Sequence, residues 1–417
     1  MVGRKECNTF AQTTQHECSF MQNITNASDF IPRYYFKAAN VEGAKCSFKI
    51  TNAGDCSYPN GWYGNWAVAS YDRISWNRVP TNYNDGVLDI QFVPKAPVVW
   101  IAYFAPFSYE QHQALIARSM LAKDFKGQKL AKLEVLGSTL DGRDLELLTI
   151  GSGEQKLWFI ARQHPGETMA EWWMQGFLAR LLDPADSLAT KLRSQATFYV
   201  IPNMNPDGSI RGHLRTNACG ANLNREWGPT GEHLAPSMES SPEVFNTLRK
   251  LDSTGCDLFV DVHGDEELPH IFLAGEMGVP NWSDRHAELY RLFVEAQLRA
   301  DPSFQLDHGY GNDKENDANL AICAAQIANR FDCLSTTLEM PYKDAFELQE
   351  PVQGWSPIRS EKLGMSMLEA VRDVLPFLRA KFPFNNGGIG HGMKAPHWLI
   401  HGYENPPSEQ CPNFIIK

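Results

Sequence analysis

No Cys-x-x-Cys pair occurs in this 417-residue chain, and its nine cysteines fall at irregular intervals. An odd, unpatterned set argues against a disulfide scaffold and for reduced thiols in a cytoplasmic protein. Residues 1–26 carry no apolar block of the kind that heads a secretory signal, and no apolar run is long enough to cross a membrane. The sequons at Asn23, Asn26 and Asn281 carry little weight without such a signal. Basic residues are also scarce. Lys and Arg number 38 against 49 Asp and Glu, a formal charge of −11, which points away from nucleic-acid partners. No internal repeat and no low-complexity tract is present. What remains is an ordinary globular composition, 43% hydrophobic and 21% charged, long enough for one large domain and one smaller one.

Texture divides the chain into four parts. Residues 1–26 read as a polar tail. Residues 27–106 alternate in polarity, are rich in Trp and Tyr, and are broken by Gly, Pro, Asn and Asp. That pattern predicts a small antiparallel β-sandwich. From 107 to 383 the pattern changes to helices alternating with apolar strands. Helices are expected over 108–123, 168–182, 283–300, 319–330 and 361–381. Another starts at Ser241 as N-cap with Pro242 in the first helical position. Strands are expected over 131–136, 145–151, 157–162, 197–202, 257–262 and 334–340. This alternation predicts an α/β domain with a doubly wound, mixed but mainly parallel sheet and helices on both faces. Residues 384–417 are rich in Gly and Pro and read as a surface extension.

Three His-x-x-Glu pairs occur: His164/Glu167, His263/Glu266 and His401/Glu404. Spacing alone does not separate them, but context does. His164 and His263 each end an apolar strand-like run, and His401 sits in the Pro-rich tail. Open α/β sheets place their chemistry at strand ends. Two imidazoles and one carboxylate form an open zinc set, with a further position for water. His164, Glu167 and His263 are therefore the candidate ligands, with Glu266 as the alternative carboxylate. Asp261 or Asp265 is placed to orient His263.

The segment from Asn205 to Trp227 reads as a long loop that offers Arg211, Arg215 and Arg225 among several asparagines. Arginine forks bind carboxylates in bidentate fashion, and an arginine beside a metal stabilises a developing oxyanion. A solvated loop tied down by Asn turns is the alternative. Glu339 stands inside the apolar run 334–341. A buried carboxylate without a partner is costly, so either an ion pair or a base beside a metal-bound water accounts for it.

Together these features resemble the zinc metallocarboxypeptidases of the carboxypeptidase A fold, and in particular their cytosolic carboxypeptidase branch. The matching motifs are His-Pro-Gly-Glu at 164–167, Asn-Pro-Asp-Gly at 205–208, Gly212-x-x-Arg215, Leu-Asn-Arg-x-Trp at 223–227, Asp261-x-His263-Gly264 and Thr337-Leu338-Glu339. They stand in the family's order across residues 157–340. Residues 76–80 and 107–110 match the branch's N-terminal region. The resemblance implies one zinc on His164, Glu167 and His263. It implies Arg215 at the scissile carbonyl, Asn224 and Arg225 on the substrate's free C-terminal carboxylate, and Glu339 as general base. It also implies a mobile-loop tyrosine, for which Tyr310 is the candidate and Tyr290 the alternative. A cation for an acidic C-terminal side chain is implied too, and Arg330 is the candidate with Lys314 behind it. The expected substrates are peptide or protein C-terminal tails, with release of glutamate from peptide or isopeptide bonds. Two alternatives stay open: a deacylase of small N-acyl amino acids, and a silent zinc protein that binds C-terminal tails.

Overall fold

The structure, a computed structural model, describes residues 34–231 and 233–384 together with the strand His16–Phe20. The C-terminal extension, apart from residue 384, lies outside the described residues, and so does the third His-x-x-Glu pair.

The smaller domain is a sandwich of two four-stranded sheets. Its strands are β1 (His16–Phe20), β2 (Tyr35–Ala39), β3 (Cys46–Ile50), β4 (Val68–Ser70), β5 (Asn77–Arg78), β6 (Thr81–Asn84), β7 (Val87–Phe92) and β8 (Val98–Ala102). The sheet orders are β1-β3-β7-β6 and β2-β8-β4-β5. Alternate residues point inward: Cys46 and Phe48 from β3, Ile90 from β7, Val99 and Ile101 from β8. One antiparallel sheet thus packs its apolar face on the other. Every strand pair in the sandwich is antiparallel except β1, which lies parallel to β3. The strand His16–Phe20 thus falls within the stretch read as a tail, the rest of which lies outside the described residues. The stretch has no apolar periodicity, but the free edge of β3 offers unpaired backbone groups, and β1 satisfies them.

The larger domain carries a seven-stranded sheet. Its strands are β9 (Ala131–Ser138), β10 (Asp144–Gly151), β11 (Gln155–Ala161), β12 (Ala196–Ile201), β13 (Leu258–Val262), β14 (Phe272–Gly275) and β15 (Leu334–Glu339), in the order β14-β15-β13-β11-β12-β10-β9. Strands β15, β13, β11 and β12 are mutually parallel at its centre. β10 and β14 run the other way. β10 returns from β9 through a tight turn with Gly142 at φ 77°, and residues 263–271 hold no crossover helix between β13 and β14.

Helices cover both faces. They are α1 (Tyr109–Leu121), α2 (Thr168–Leu181), α3 (Ser187–Gln195), α4 (Pro206–Arg211), α5 (Pro242–Thr254), α6 (Asp284–Ala300), α7 (Cys323–Phe331) and α8 (Pro357–Val374). Leu157, Phe159 and Ala161 of β11 pack with α1, α2, α3, α6 and α8, while Trp158 and Ile160 pack with α5 and α7. The period-two alternation of one buried strand therefore feeds two cores. Ser108 caps α1 through a full capping box with Gln111. Ser241 precedes Pro242 as expected, but it does not cap α5; its hydroxyl donates instead to Glu226 Oε2 at 2.8 Å. α4 lies inside the segment read as a long loop, and α3 in a stretch to which the sequence reading assigned no element.

The two domains meet behind β15. Arg78 of β5 donates to the backbone carbonyls of Trp66, Tyr342 and Gln353, and its own N–H donates to Val352 O at 2.8 Å. Tyr103 stacks on Tyr342 with ring centroids 4.4 Å apart.

Candidate active site

The ligand cluster follows from strand pairing. β11 and β13 are parallel neighbours with Ala161 opposite Val262, so the residues that leave their C-terminal ends come out side by side. Arg162 turns the chain with φ 61°, in the left-handed region that non-glycine residues rarely adopt. The turn then presents His164 and Glu167 before α2 begins at Thr168. Gly166 is required here, because a Cβ would fall 2.2 Å from Leu214 Cδ1. Its N–H donates to Leu214 O at 2.7 Å, which ties the turn to the loop of Arg215.

His164, Glu167 and His263 are buried, with their ligand atoms within 4.8 Å of one another. His164 Nδ1 lies 2.7 Å from Glu167 Oε1, and His263 Nδ1 lies 2.8 Å from Glu167 Oε2. The opposite nitrogens also face oxygens. His164 Nε2 is 3.1 Å from Asn222 Oδ1, and His263 Nε2 is 2.8 Å from Asp261 Oδ2. An Nε2–H on His164 serves Asn222, His263 Nε2 meets Asp261 as a charge contact without hydrogen-bond geometry, and the Nδ1 atoms of both rings converge on the carboxylate. Two lone pairs and a carboxylate aimed at one point suit a cation, and the N,N,O donor set suits zinc.

The electrostatics of His164 and Glu167 agree, whereas His263, set between two carboxylates, favours its proton until a cation displaces it. Burial, together with the nearby Arg215 guanidinium, pushes the His164 imidazole down to about 4, so it is neutral and able to ligate. Against the effect of burial, the two imidazoles hold the Glu167 carboxyl well below its usual range. Burial also opposes protonation of His263, yet Asp261 and Glu167 raise its pKa well above the ordinary value. Asp261 is therefore the carboxylate behind His263. Asp265 is occupied elsewhere, accepting from the N–H groups of Glu267 and Leu268 and from the Tyr310 hydroxyl.

Glu339 ends β15 beside β13 and is 6% exposed. Its Oε1 accepts from the Tyr310 hydroxyl at 3.1 Å, and its Oε2 is buried without a hydrogen-bond partner. Burial, reinforced by Glu167 and Asp265, pushes its carboxyl well above the ordinary range. Tyr310 leaves 40% of its surface exposed while its hydroxyl turns inward. Tyr290 is fully buried and donates to Leu273 O, which makes it a core residue.

Arg215 is half-buried near His164 and lies 6.0 Å from the Tyr58 ring of the β-sandwich. Asn224 and Arg225 share a single 3-10 turn, Leu223–Arg225. Asn224 Oδ1 accepts from Cys323 N at 2.8 Å, and Arg225 donates to Asn224 O at 2.7 Å. Arg211 turns away to Asp141. Glu266 is buried beneath Gly61 and stands apart from the ligand cluster.

Arg330 is placed elsewhere, which corrects its assignment to the substrate pocket. It lies on the solvent side of α7 and forms a two-pronged pair with Asp252 at 2.7 Å. Lys314 is exposed.

The sequence reading also missed residues that hold the site. Asn222 fixes His164, and it was visible only as one asparagine among several. Gln163 bridges Asp261 and Trp227 Nε1. Arg162 is fully buried and donates to Pro165 O, Phe107 O and Glu171. Glu171 also meets His112 Nδ1 at 2.6 Å, and His112 Nε2 lies 3.0 Å from Glu146.

Residues 119–353 match the zinc carboxypeptidase family model, and residues 5–104 match the cytosolic carboxypeptidase N-terminal domain. The chain belongs to the zinc carboxypeptidase family. Membership brings one catalytic zinc, and the donor set described above fits it. A Zymomonas mobilis protein is 46% identical over 350 residues, 84% of this chain and 89% of that relative. A metallo-carboxypeptidase from Burkholderia cenocepacia is 41% identical with a TM-score of 0.79, covering 84% of this chain and 91% of that one. A Pseudomonas aeruginosa metallo-carboxypeptidase, solved with (2-guanidinoethylmercapto)succinic acid, is 38% identical with a TM-score of 0.82, covering 89% and 96%. Human cytosolic carboxypeptidase 4 is 27% identical over 306 residues, 64% of this chain, and the enzyme spans only 26% of that relative's length.

Proposed function

We propose that the enzyme hydrolyses the last peptide bond of chains that end in a free carboxylate, with Glu339 as base. The observation that carries this reading is the unpartnered, buried Glu339 Oε2 on the strand next to His263. When bound, zinc polarises a carbonyl and acidifies a coordinated water. Glu339 Oε2 accepts the water's proton while Tyr310 holds Oε1, and it then passes that proton to the leaving amine. Arg215 supplies positive charge for the carbonyl oxygen. Asn224 and Arg225 grip the terminal carboxylate, the arginine as a fork.

Release of glutamate from peptide or isopeptide bonds, as the resemblance implies, calls for a cation over the last side chain. With Arg330 committed to Asp252, that preference has no residue assigned to it. The ligand of the Pseudomonas aeruginosa relative is a succinic acid derivative, and its carboxylates suit the proposed grip. The free cysteines among the described residues accord with a reducing, cytoplasmic setting. No helix among the described residues is long and apolar enough to cross a membrane.

The decisive experiment compares one peptide with a free and an amidated C-terminus on the zinc-loaded enzyme. Cleavage of the free form alone is expected. Equal cleavage of the amide would refute the carboxylate grip and favour a deacylase-like reading.

A further inference from the structure

The ligand cluster and the proposed carboxylate grip share one short segment, residues 222–227. At its start, Asn222 Oδ1 lies 3.1 Å from His164 Nε2 and accepts the Asn224 N–H at 3.1 Å. At its end, Trp227 is fully buried and donates its indole N–H to Gln163 Oε1 at 2.8 Å. The other end of the Gln163 amide donates to Asp261 Oδ2. That same oxygen lies 2.8 Å from His263 Nε2. Both histidines are therefore backed, on the side away from Glu167, by groups tied to the turn that carries Asn224 and Arg225.

The Gln163 amide can take only one orientation here. A carboxylate only accepts hydrogen bonds, and an indole N–H only donates. The group between Asp261 and Trp227 therefore needs a donor at one end and an acceptor at the other, and a primary amide supplies both. Turning it over would set two acceptors face to face at Asp261 and two donors face to face at Trp227. Gln163, Asp261 and Trp227 are all fully buried, so solvent cannot replace a lost partner. Trp227 is also fixed through its backbone: its N–H donates to Ala321 O at 3.1 Å, and its carbonyl accepts from Gln326 at 3.0 Å. A second contact runs beside the first. The Cys323 thiol lies against Asp261 and Gln163, and the Cys323 N–H donates to Asn224 Oδ1 at 2.8 Å.

We propose that Gln163 is a positioning residue that couples the carboxylate grip to the zinc site, so that each strengthens the other. This rests on the carboxypeptidase reading. A shift of the His263 ring on metal binding moves Asp261, and the Gln163 amide passes that shift to Trp227 and the turn that ends at Arg225. A carboxylate that seats Asn224 and Arg225 acts back along the same line. Coupling of this kind is reciprocal. The enzyme therefore distinguishes a free C-terminus most sharply when it is loaded with zinc, and it holds zinc most tightly when the grip is filled. Nearness in the fold does not establish such coupling; a change at one site read out at the other does.

The test uses the full-length protein. Trp227→Phe keeps an aromatic ring and removes the indole N–H. Its zinc affinity, by competition with a chromophoric chelator, should fall about 10-fold, the lower end for groups that orient ligands. Gln163→Met should lose at least as much, and adding Trp227→Phe to it should weaken zinc no further, since residues that act through one another are not additive. On the other side, calorimetry on zinc-loaded Glu339→Gln protein compares one peptide with a free and an amidated C-terminus. Gln163→Met in that background should shrink the free-to-amide affinity ratio about fivefold, the lower end of coupling between sites. Trp227→Phe in the same background repeats this reading and keeps it available if Gln163→Met does not fold. Unchanged zinc affinity in Trp227→Phe, losses that add in the double variant, or an unchanged free-to-amide ratio in either single variant overturns the proposal. Equal binding of the two peptides before Gln163 or Trp227 is changed would instead sink the carboxylate grip, and with it the carboxypeptidase reading.

Discussion

Replacing Arg162 by Met should damage both stability and the metal site. Arg162 is fully buried two residues before His164, and its guanidinium joins Glu171 and the carbonyls of Pro165 and Phe107. Methionine fills much of the volume but removes the donor that serves one buried carboxylate and two carbonyls. Breaking a buried ion pair from one side costs about 3–5 kcal/mol. Each stranded carbonyl adds roughly 1 kcal/mol or more. The Glu171 carboxylate keeps His112, which limits the damage, so a total near 4 kcal/mol is expected. The turn that carries two of the proposed zinc ligands then loses its brace, and zinc affinity should fall about 10- to 100-fold, as for other groups that orient ligands. Urea unfolding of zinc-loaded and chelator-stripped protein measures the first effect. Competition with a chromophoric chelator measures the second. Arg162→Lys, which keeps the charge and loses the fork, should fall between wild type and Arg162→Met. A loss below about 1 kcal/mol with unchanged zinc affinity in both variants would refute the brace.

Three further outcomes are expected. Glu339→Gln should retain zinc by metal analysis and lose kcat/KM by roughly two or more orders of magnitude; wild-type turnover would remove Glu339 from the chemistry. Asp261→Asn should weaken zinc binding about 10- to 100-fold in the same chelator competition, because a neutral amide supports the His263 imidazole less well; an unchanged affinity would show that Asp261 does not serve as its partner. His112 should make stability pH-dependent: it is buried, and although burial lowers its pKa, Glu171 and Glu146 raise it from 6.5 to about 9. A raised folded pKa stabilises fully below the unfolded value, so the contribution, on the order of 3 kcal/mol, should fade as pH rises from 6.5 through about 9. The stability gap between wild type and His112→Gln, followed by urea unfolding, should close over that window, and a gap that widened instead would refute it.

Local patterns made the frame of the candidate site legible. The runs before His164, His263 and Glu339 are apolar because their strands are covered on both faces, and such strands deliver their next residues to a common edge. The parts that stayed hidden depend on contacts distant in the chain. Arg330 looked like a pocket cation from its distance to Glu339 in sequence. Helical phase decides otherwise: Ala324, Ala325, Ile327 and Ala328 turn inward on α7, and Arg330 turns outward to Asp252. Nothing in the helical pattern singles out Glu171, because its partners Arg162 and His112 come from other elements. β1 has no hydrophobic rhythm and exists through its pairing with β3. β14 is four residues long, too short for a periodic signal.

The grip of Arg78 on the chain just past Glu339 bears on how this enzyme can be handled. Cutting before residue 107 to obtain a minimal catalytic fragment would leave the carbonyls of Tyr342 and Gln353 without their donor and the Tyr342 ring without its stacking partner Tyr103. The base would then sit at the end of a strand whose exit path is untethered. The β-sandwich thus backs the chain that leaves β15, and a fragment cut between the halves is expected to be less stable than the whole chain.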